Sequence, residues 1–437
     1  MMYGSGQQEV PAIMTSPYFT STTLRMLVVL TWVSVTLTGC EDVMKEVTKK
    51  MPAGTDRYLN TAMPLGDAVL NRPKFTEADE ERMAQENAQK FEQKSKIGDD
   101  ILLDTYLNDM VQRIVAVAHP RPFTYSIRVV QDASINAFTF GGGILYVNAG
   151  LLARMENESQ LAMVLAHEIA HVTESHVVKG IESNYGIQVL GEFAARTASA
   201  SGKVKLPPAL LQKTYEYSMK AATSGHGRAS ETEADVVGLE YMAKAGYDTR
   251  EAPRTFEQLL KEYGDQGAVE NFFYGDHPTN KSRTEKLTGL VQSKYKNLAE
   301  NRLPDSNTNE FTKVTRELVL VVARLDYDRK RFNTSAAMFR RALQAKSDDP
   351  ESHYYLGKIA LETGSGPDAP KQAISHFVAA IKANDKFAEA YREMGLAYYK
   401  IGDRKTAIAA LEKYLSLSPG AKDAGRIKKS IQDLSSS

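Results

Sequence analysis

Asn157-Glu158-Ser159-Gln160-Leu161-Ala162-Met163-Val164-Leu165-Ala166-His167-Glu168-Ile169-Ala170-His171 is the stretch from which the rest of the chain can be read. Asn157 and Gln160 form a capping pair that starts a helix, and Gly180 is its expected stop. Ala162, Leu165, Ala166, Ile169 and Ala170 are small or apolar, which suits a buried helix. His167 and His171 are four residues apart, so they share a helix face and both imidazoles can reach one ion, with Glu168 beside them. Two neutral histidines give Zn²⁺ half of a tetrahedral shell and leave room for a water. Glu168 is placed to take a proton from that water as general base. The same spacing also arises by chance, as two helix histidines with an incidental glutamate, so a third ligand has to be found.

Arg228-Ala229-Ser230-Glu231-Thr232-Glu233-Ala234-Asp235 offers one, early in a helix expected from Ser230 to Ala245 and closed by Gly246. Glu231 and Asp235 lie four apart on one face, so one can ligate while the other accepts the spare N–H of a ligand imidazole. Glu233 is a rival ligand on another face. The bland alternative is a solvated acidic helix start favoured by the helix dipole.

Working outward, a helical stretch is expected around Glu77 to Lys94 and another from Ile97 to Ala118, ended by His119-Pro120-Arg121-Pro122. Two strand-like runs follow, Thr124 to Val130 and Gly143 to Val147, with Asn136-Ala137-Phe138 and the glycines Gly141 to Gly143 between them. Ser199 to Gly227 is rich in Ser, Gly, Lys and Pro and reads as a mobile excursion. Beyond Pro304 the sequence becomes repetitive and helical. Tyr391, Met394, Gly395, Tyr398, Ala407, Leu411 and Pro419 keep the spacings of the 34-residue tetratricopeptide pattern. An equivalent unit contains His353, Leu356, Gly357, Ala373, Phe377 and Ala380, and a degenerate first unit contains Phe339 and Ala342. The fold expected is α+β: a mainly helical zinc metalloprotease domain with a small β-sheet, followed by an all-α tetratricopeptide-repeat domain.

The chain has 437 residues, 54 basic and 54 acidic, a balance that gives no pull toward nucleic acid. Its one long apolar run, Leu27 to Leu37, follows Arg25 and has the shape of a signal-peptide core, too short to span a bilayer comfortably. It ends in Leu37-Thr38-Gly39-Cys40, which resembles the bacterial lipobox, with Cys40 as the lipidated residue and the only cysteine. The alternative is a core or redox cysteine after an ordinary signal peptide. The expected organisation is a lipoprotein signal peptide over 1–39 and a linker with N-terminal helices over 40–96. The zinc metalloprotease domain follows over 97–303 and the repeats over 310–437.

The order Asn136-Ala137-Phe138, Gly-rich strand, His-Glu-x-x-His, then Arg-x-x-Glu-x-Glu-Ala-Asp resembles the HtpX and CAAX-prenyl-protease family of zinc metallopeptidases, over roughly residues 98 to 290. With its repeats and without the multiple membrane spans of the integral-membrane branches, the chain looks closer to the periplasmic, BepA-like branch than to those. The resemblance implies one Zn²⁺ per chain held by His167, His171 and Glu231, with Glu168 catalytic and Asp235 and Arg228 in support. Gly227 stands where the family usually has Ser. Gly143, Ile144, Leu145 and Tyr146 resemble the family's substrate-binding edge strand, although an internal strand fits those residues equally well. His277-Pro278 resembles a His-Pro element of periplasmic members; His277 could serve as oxyanion donor, as a cap on the zinc, or as a plain loop histidine, and Tyr274 is a weaker oxyanion candidate. His119, His176, His226, His353 and His376 carry no motif and are expected to be structural or exposed. The function implied is endoproteolysis of unfolded or misassembled envelope proteins in the periplasm, from a lipid anchor in either membrane. The repeats would bind a protein partner. The alternative is a chaperone or scaffold with a latent zinc site.

Overall fold

The computed structural model describes residues 75–183, 208–263, 280–297, 308–366 and 368–436. Cys40, Tyr274 and His277 lie outside the described residues. Helix α1 (Glu77–Glu92) starts at Thr76, whose hydroxyl and the Asp79 carboxylate cap each other's backbone N–H groups. Helix α2 (Ile101–Val115) begins four residues later than its apolar spacing suggested. Asp100 caps it by accepting from the N–H groups of Leu102 and Leu103, while Ile97 leaves the helix and bridges to Val130 of the sheet.

Strands β1 (Ser126–Val130), β2 (Ala137–Thr139) and β3 (Ile144–Asn148) form a sheet of order β1-β3-β2. β3 pairs in parallel with β1 and antiparallel with β2. The expectation that Gly143, Ile144, Leu145 and Tyr146 form an edge strand is therefore corrected. Ile144, Leu145 and Tyr146 lie on the central strand, whose backbone groups are used on both sides, and Gly143 precedes it. The edge facing the helices is β2, which alternation alone did not mark as a strand because all three of its residues are buried. Tyr146 stacks on Phe138 of β2, with ring centroids 5.1 Å apart, and Phe91 and Phe140 close the cluster.

After the short α3 (Ala149–Leu152), α4 (Glu158–Thr173) runs through the middle of the domain and is buried from Glu158 to Val172. Asn157 caps it as expected, accepting from the Gln160 N–H at 2.9 Å. It stops before Gly180: Ser175 takes a left-handed φ of 57°, and a new helix covers residues 176–183. Part of the expected mobile excursion is ordered as α5 (Pro208–Ser224). Its Tyr217 and Ala221 are buried four residues apart, and Ser218 accepts a hydrogen bond from Asn87 of α1 at 3.2 Å. That apolar face is masked in the sequence by the polar residues around it.

Helix α6 (Arg228–Lys244) crosses α4 at very close range. Gly238 makes the approach possible, since a Cβ there would sit 2.9 Å from the His167 nitrogen. Helices α7 (Glu251–Tyr263) and α8 (Asn280–Ser293) cover the remaining side.

The C-terminal part is all helix. The pairs are α9 (Thr308–Asp328) with α10 (Phe332–Ala345), α11 (Pro350–Thr363) with α12 (Asp368–Ala383), and α13 (Ala388–Lys400) with α14 (Arg404–Leu417). Helix α15 (Ala424–Ser436) covers the end of the stack. The small positions of the repeat admit large neighbours, Gly357 against Phe377 and Gly395 against Leu411. The first pair does not stand apart from the protease part. Val319, Leu320, Val322, Ala323 and Phe339 belong to the same buried cluster as Leu107, Leu151, Leu152 and Met155. Arg154 and Asp326 form an ion pair across that contact at 2.8 Å, both almost without solvent exposure. Among the described residues no helix is long and apolar enough to cross a membrane.

Candidate metal centre

Helix α4 presents His167 and His171 on one face, and α6 brings Glu231 against them. The His167 and His171 Nε2 atoms are 3.0 Å apart, and Glu231 oxygens lie 3.3 Å from the first and 3.6 Å from the second. Two nitrogens bound tetrahedrally to one zinc at about 2.05 Å sit about 3.3 Å apart, so this donor set has the spacing as well as the chemistry that zinc takes. All three side chains are buried, and their ligand atoms converge within 4.8 Å of one another. Glu231 is oriented further by the backbone N–H of His226, which donates to its Oε1 at 2.9 Å.

The electrostatics match a site built for positive charge. Burial alone would raise Glu231, but His171 and His167 beside it hold its carboxyl well below the usual range. Burial disfavours a charged His167, yet its hydrogen bonds to Asp235 and Glu231 outweigh that and raise it to about 9. His171 is pushed well below its ordinary value by burial and by His226. Glu168 is 5% exposed, and burial is the main reason its carboxyl is pushed up to about 7, the range in which a carboxylate can both accept and return a proton.

Asp235 accepts from His167 Nδ1 at 3.1 Å, as the four-residue spacing with Glu231 implied. The arginine behind it corrects an expectation. Arg228 sits exposed in the first turn of α6, whereas Arg283 of α8 donates to Asp235 through Nε at 2.8 Å and through Nη2. Arg283 is 2% exposed and stacks on Phe256, its guanidinium 4.2 Å from the ring centroid. Sequence reasoning missed Arg283 because nothing local marks it; the only hint was a buried carboxylate that needed a counter-charge. It also missed His226, whose ring lies over His171 with centroids 4.2 Å apart, and the buried His176. The ligands line a pocket together with Asn136, with Ala137 and Phe138 of β2, and with Ala221, Gly225 and His226.

Residues 102–291 match peptidase family M48, and residues 322–375 and 370–422 match the tetratricopeptide repeat. Residues 102–291 thus form a peptidase family M48 domain, followed by tetratricopeptide repeats. It is 29% identical over 169 residues to the beta-barrel assembly-enhancing protease of Escherichia coli, covering 37% of this chain and 34% of that one. It is 30% identical over 227 residues to the mitochondrial metalloendopeptidase OMA1 of Schizosaccharomyces pombe, covering 50% of this chain and 64% of that one. The chain therefore spans about a third to two thirds of the length of these relatives. Among solved structures it is similar to the Arabidopsis OM64 TPR domain, at 20% identity and a TM-score of 0.26, covering 28% of this chain and 98% of that one.

Proposed function

We propose that this chain is a zinc-dependent endopeptidase of the bacterial cell envelope, anchored by lipid at Cys40, that cuts unfolded or misassembled proteins. Its repeats would bind a protein partner. The observation that carries the reading is the placement of Glu168 on the ligand helix, next to three converging donors and lining the same pocket as they do. Zinc held by His167, His171 and Glu231 would supply Lewis acidity, polarising a carbonyl and acidifying water.

The chain's own residues do the rest. Glu168 receives the proton of the attacking water at its carboxylate and, with its raised affinity for protons, can return it to the leaving amine. Ala137 and Phe138 of β2 line the pocket beside Glu168; both are buried in this structure, so an extended peptide would have to uncover that edge to lie across the site. Asp235, clamped by Arg283, holds His167 in the tautomer whose Nε2 faces Glu231. The envelope location is supported by the apolar run ending at Cys40 and by the bacterial relative named as a barrel-assembly-enhancing protease.

The test is cleavage of an unfolded protein such as casein by the zinc-loaded chain and by Glu168→Gln. The variant should keep its metal and lose at least about two orders of magnitude in rate. Equal rates would remove Glu168 from the chemistry. Absence of cleavage in the zinc-loaded wild type would favour a scaffold.

A further inference from the structure

The support behind His171 differs from that behind His167 and is assigned to nothing so far. His171 turns Nε2 toward His167 and Glu231, so its other nitrogen, Nδ1, faces away from the donor set. There it meets Nδ1 of His176 at 2.9 Å. His176 is 2% exposed, and its Nε2 lies 3.2 Å from Glu233 Oε2. Glu233 projects from α6 on a different face from Glu231, and half of its side chain is in solvent.

Had α4 continued as one helix, His176 would stand about 140° around the axis from His171, too far to touch it. The left-handed Ser175 breaks the helix, and the new one begins at residue 176 with its first side chain returned over His171. The helix break and the i+5 histidine therefore belong to one arrangement.

The protons along this line have a single consistent assignment. A ligating His171 Nε2 must present a lone pair, so its proton is on Nδ1 and is donated to His176 Nδ1. His176 then carries its own proton on Nε2 and donates it to Glu233. We propose that His176 and Glu233 are positioning residues of the metal centre, fixing His171 as the Nδ1–H tautomer and aiming its Nε2 at the ion. The inference rests on the metal-centre reading above. The two ligand histidines then have unlike supports: His167 has a buried carboxylate–guanidinium pair, and His171 has an imidazole whose carboxylate is half in water.

The experiment measures zinc affinity of the full chain by competition with a chromogenic chelator, alongside the unfolding midpoint of each zinc-free protein. His176→Phe, which removes both hydrogen bonds, should weaken zinc binding about 10- to 100-fold. His176→Asn keeps an acceptor near the Nδ1 position and should recover part of that loss. Glu233→Ala, on a half-exposed side chain, should leave the zinc-free midpoint unchanged, weaken zinc binding by less than His176→Phe, and add nothing on top of it. Nitrogen-15 spectra should place the His171 proton on Nδ1 in the wild type. A His176→Phe affinity within about twofold of wild type, or a Glu233→Ala loss that adds in full to it, overturns the inference. If His176→Phe does not fold, Glu233→Ala decides alone: a zinc affinity equal to wild type within error overturns the inference. A wild type that binds no zinc overturns the metal-centre reading and this inference with it, whereas zinc binding indifferent to these variants overturns the inference alone.

Discussion

Replacing Asp326 by Asn should destabilise the peptidase part and the repeats together. Asp326 belongs to α9, the first repeat helix, and has no solvent exposure. It accepts from Arg154 Nη2 at 2.8 Å and from Arg331. Arg154 follows α3 in the peptidase part, is 2% exposed, and also donates to the Gly150 carbonyl at 2.7 Å. Asn keeps the shape and one acceptor but leaves the buried guanidinium without its counter-charge. Breaking a buried pair on one side costs about 3–5 kcal/mol, a large part of the roughly 5–15 kcal/mol by which folded domains exceed their unfolded states. Residues 72–437 form one compact unit, so the loss should appear as a single shifted transition in urea, whether followed by far-UV circular dichroism or by tyrosine fluorescence. Pairing Arg154→Met with Asp326→Leu should recover most of the stability, because the fully buried charges are then both removed and only the partly exposed Arg331 loses its partner. A cost below about 1 kcal/mol, or a transition in which the repeats melt while the peptidase part keeps its midpoint, would refute the reasoning.

Two further outcomes follow from the site. Gly238→Ala should push α6 away from the His167 backbone, cost about 1–3 kcal/mol and reduce zinc retention; unchanged stability and metal content would show that the helices can part without loss. In zinc-free protein, Glu168→Gln should stabilise the fold at high pH. Glu168 is raised from 4.5 to about 7, so the native state binds more protons between those values and the wild type loses stability as pH rises through that window. The full cost of about 3 kcal/mol is present above pH 7 and absent below pH 4.5, so urea unfolding at the two extremes should show the variant's advantage only at the higher pH. An equal advantage at both would contradict the burial argument.

How much of this was legible beforehand varied with the kind of signal. The helix carrying His167, Glu168 and His171 was readable because its cap, its apolar composition and its four-residue spacing all pointed the same way. Asp235 as partner of His167 was readable for the same reason, as a spacing on one helix face. Strand order was not, because period-two alternation says which residues could be strand and not which strands pair, and β2 is too short to show alternation. Arg283 was invisible because its partner Asp235 is reached only through tertiary packing. Arg228 carries that role in the sequence reading instead because it belongs to the motif on which the resemblance rests. His176 was read as unremarkable because the i+5 spacing reaches His171 only across a helix break, and Ser175 gives no warning of one. The boundary drawn between residues 303 and 310 followed a real change of composition, but the core runs across it, since α9 carries apolar residues for both sides.

The measurement that tests the central claim most directly is anomalous X-ray scattering at the zinc edge from crystals of the full chain. The account predicts one peak about 2.0–2.2 Å from His167 Nε2, His171 Nε2 and a Glu231 oxygen. A peak held instead by His176 or Glu233, or no peak from protein supplied with zinc, would contradict it.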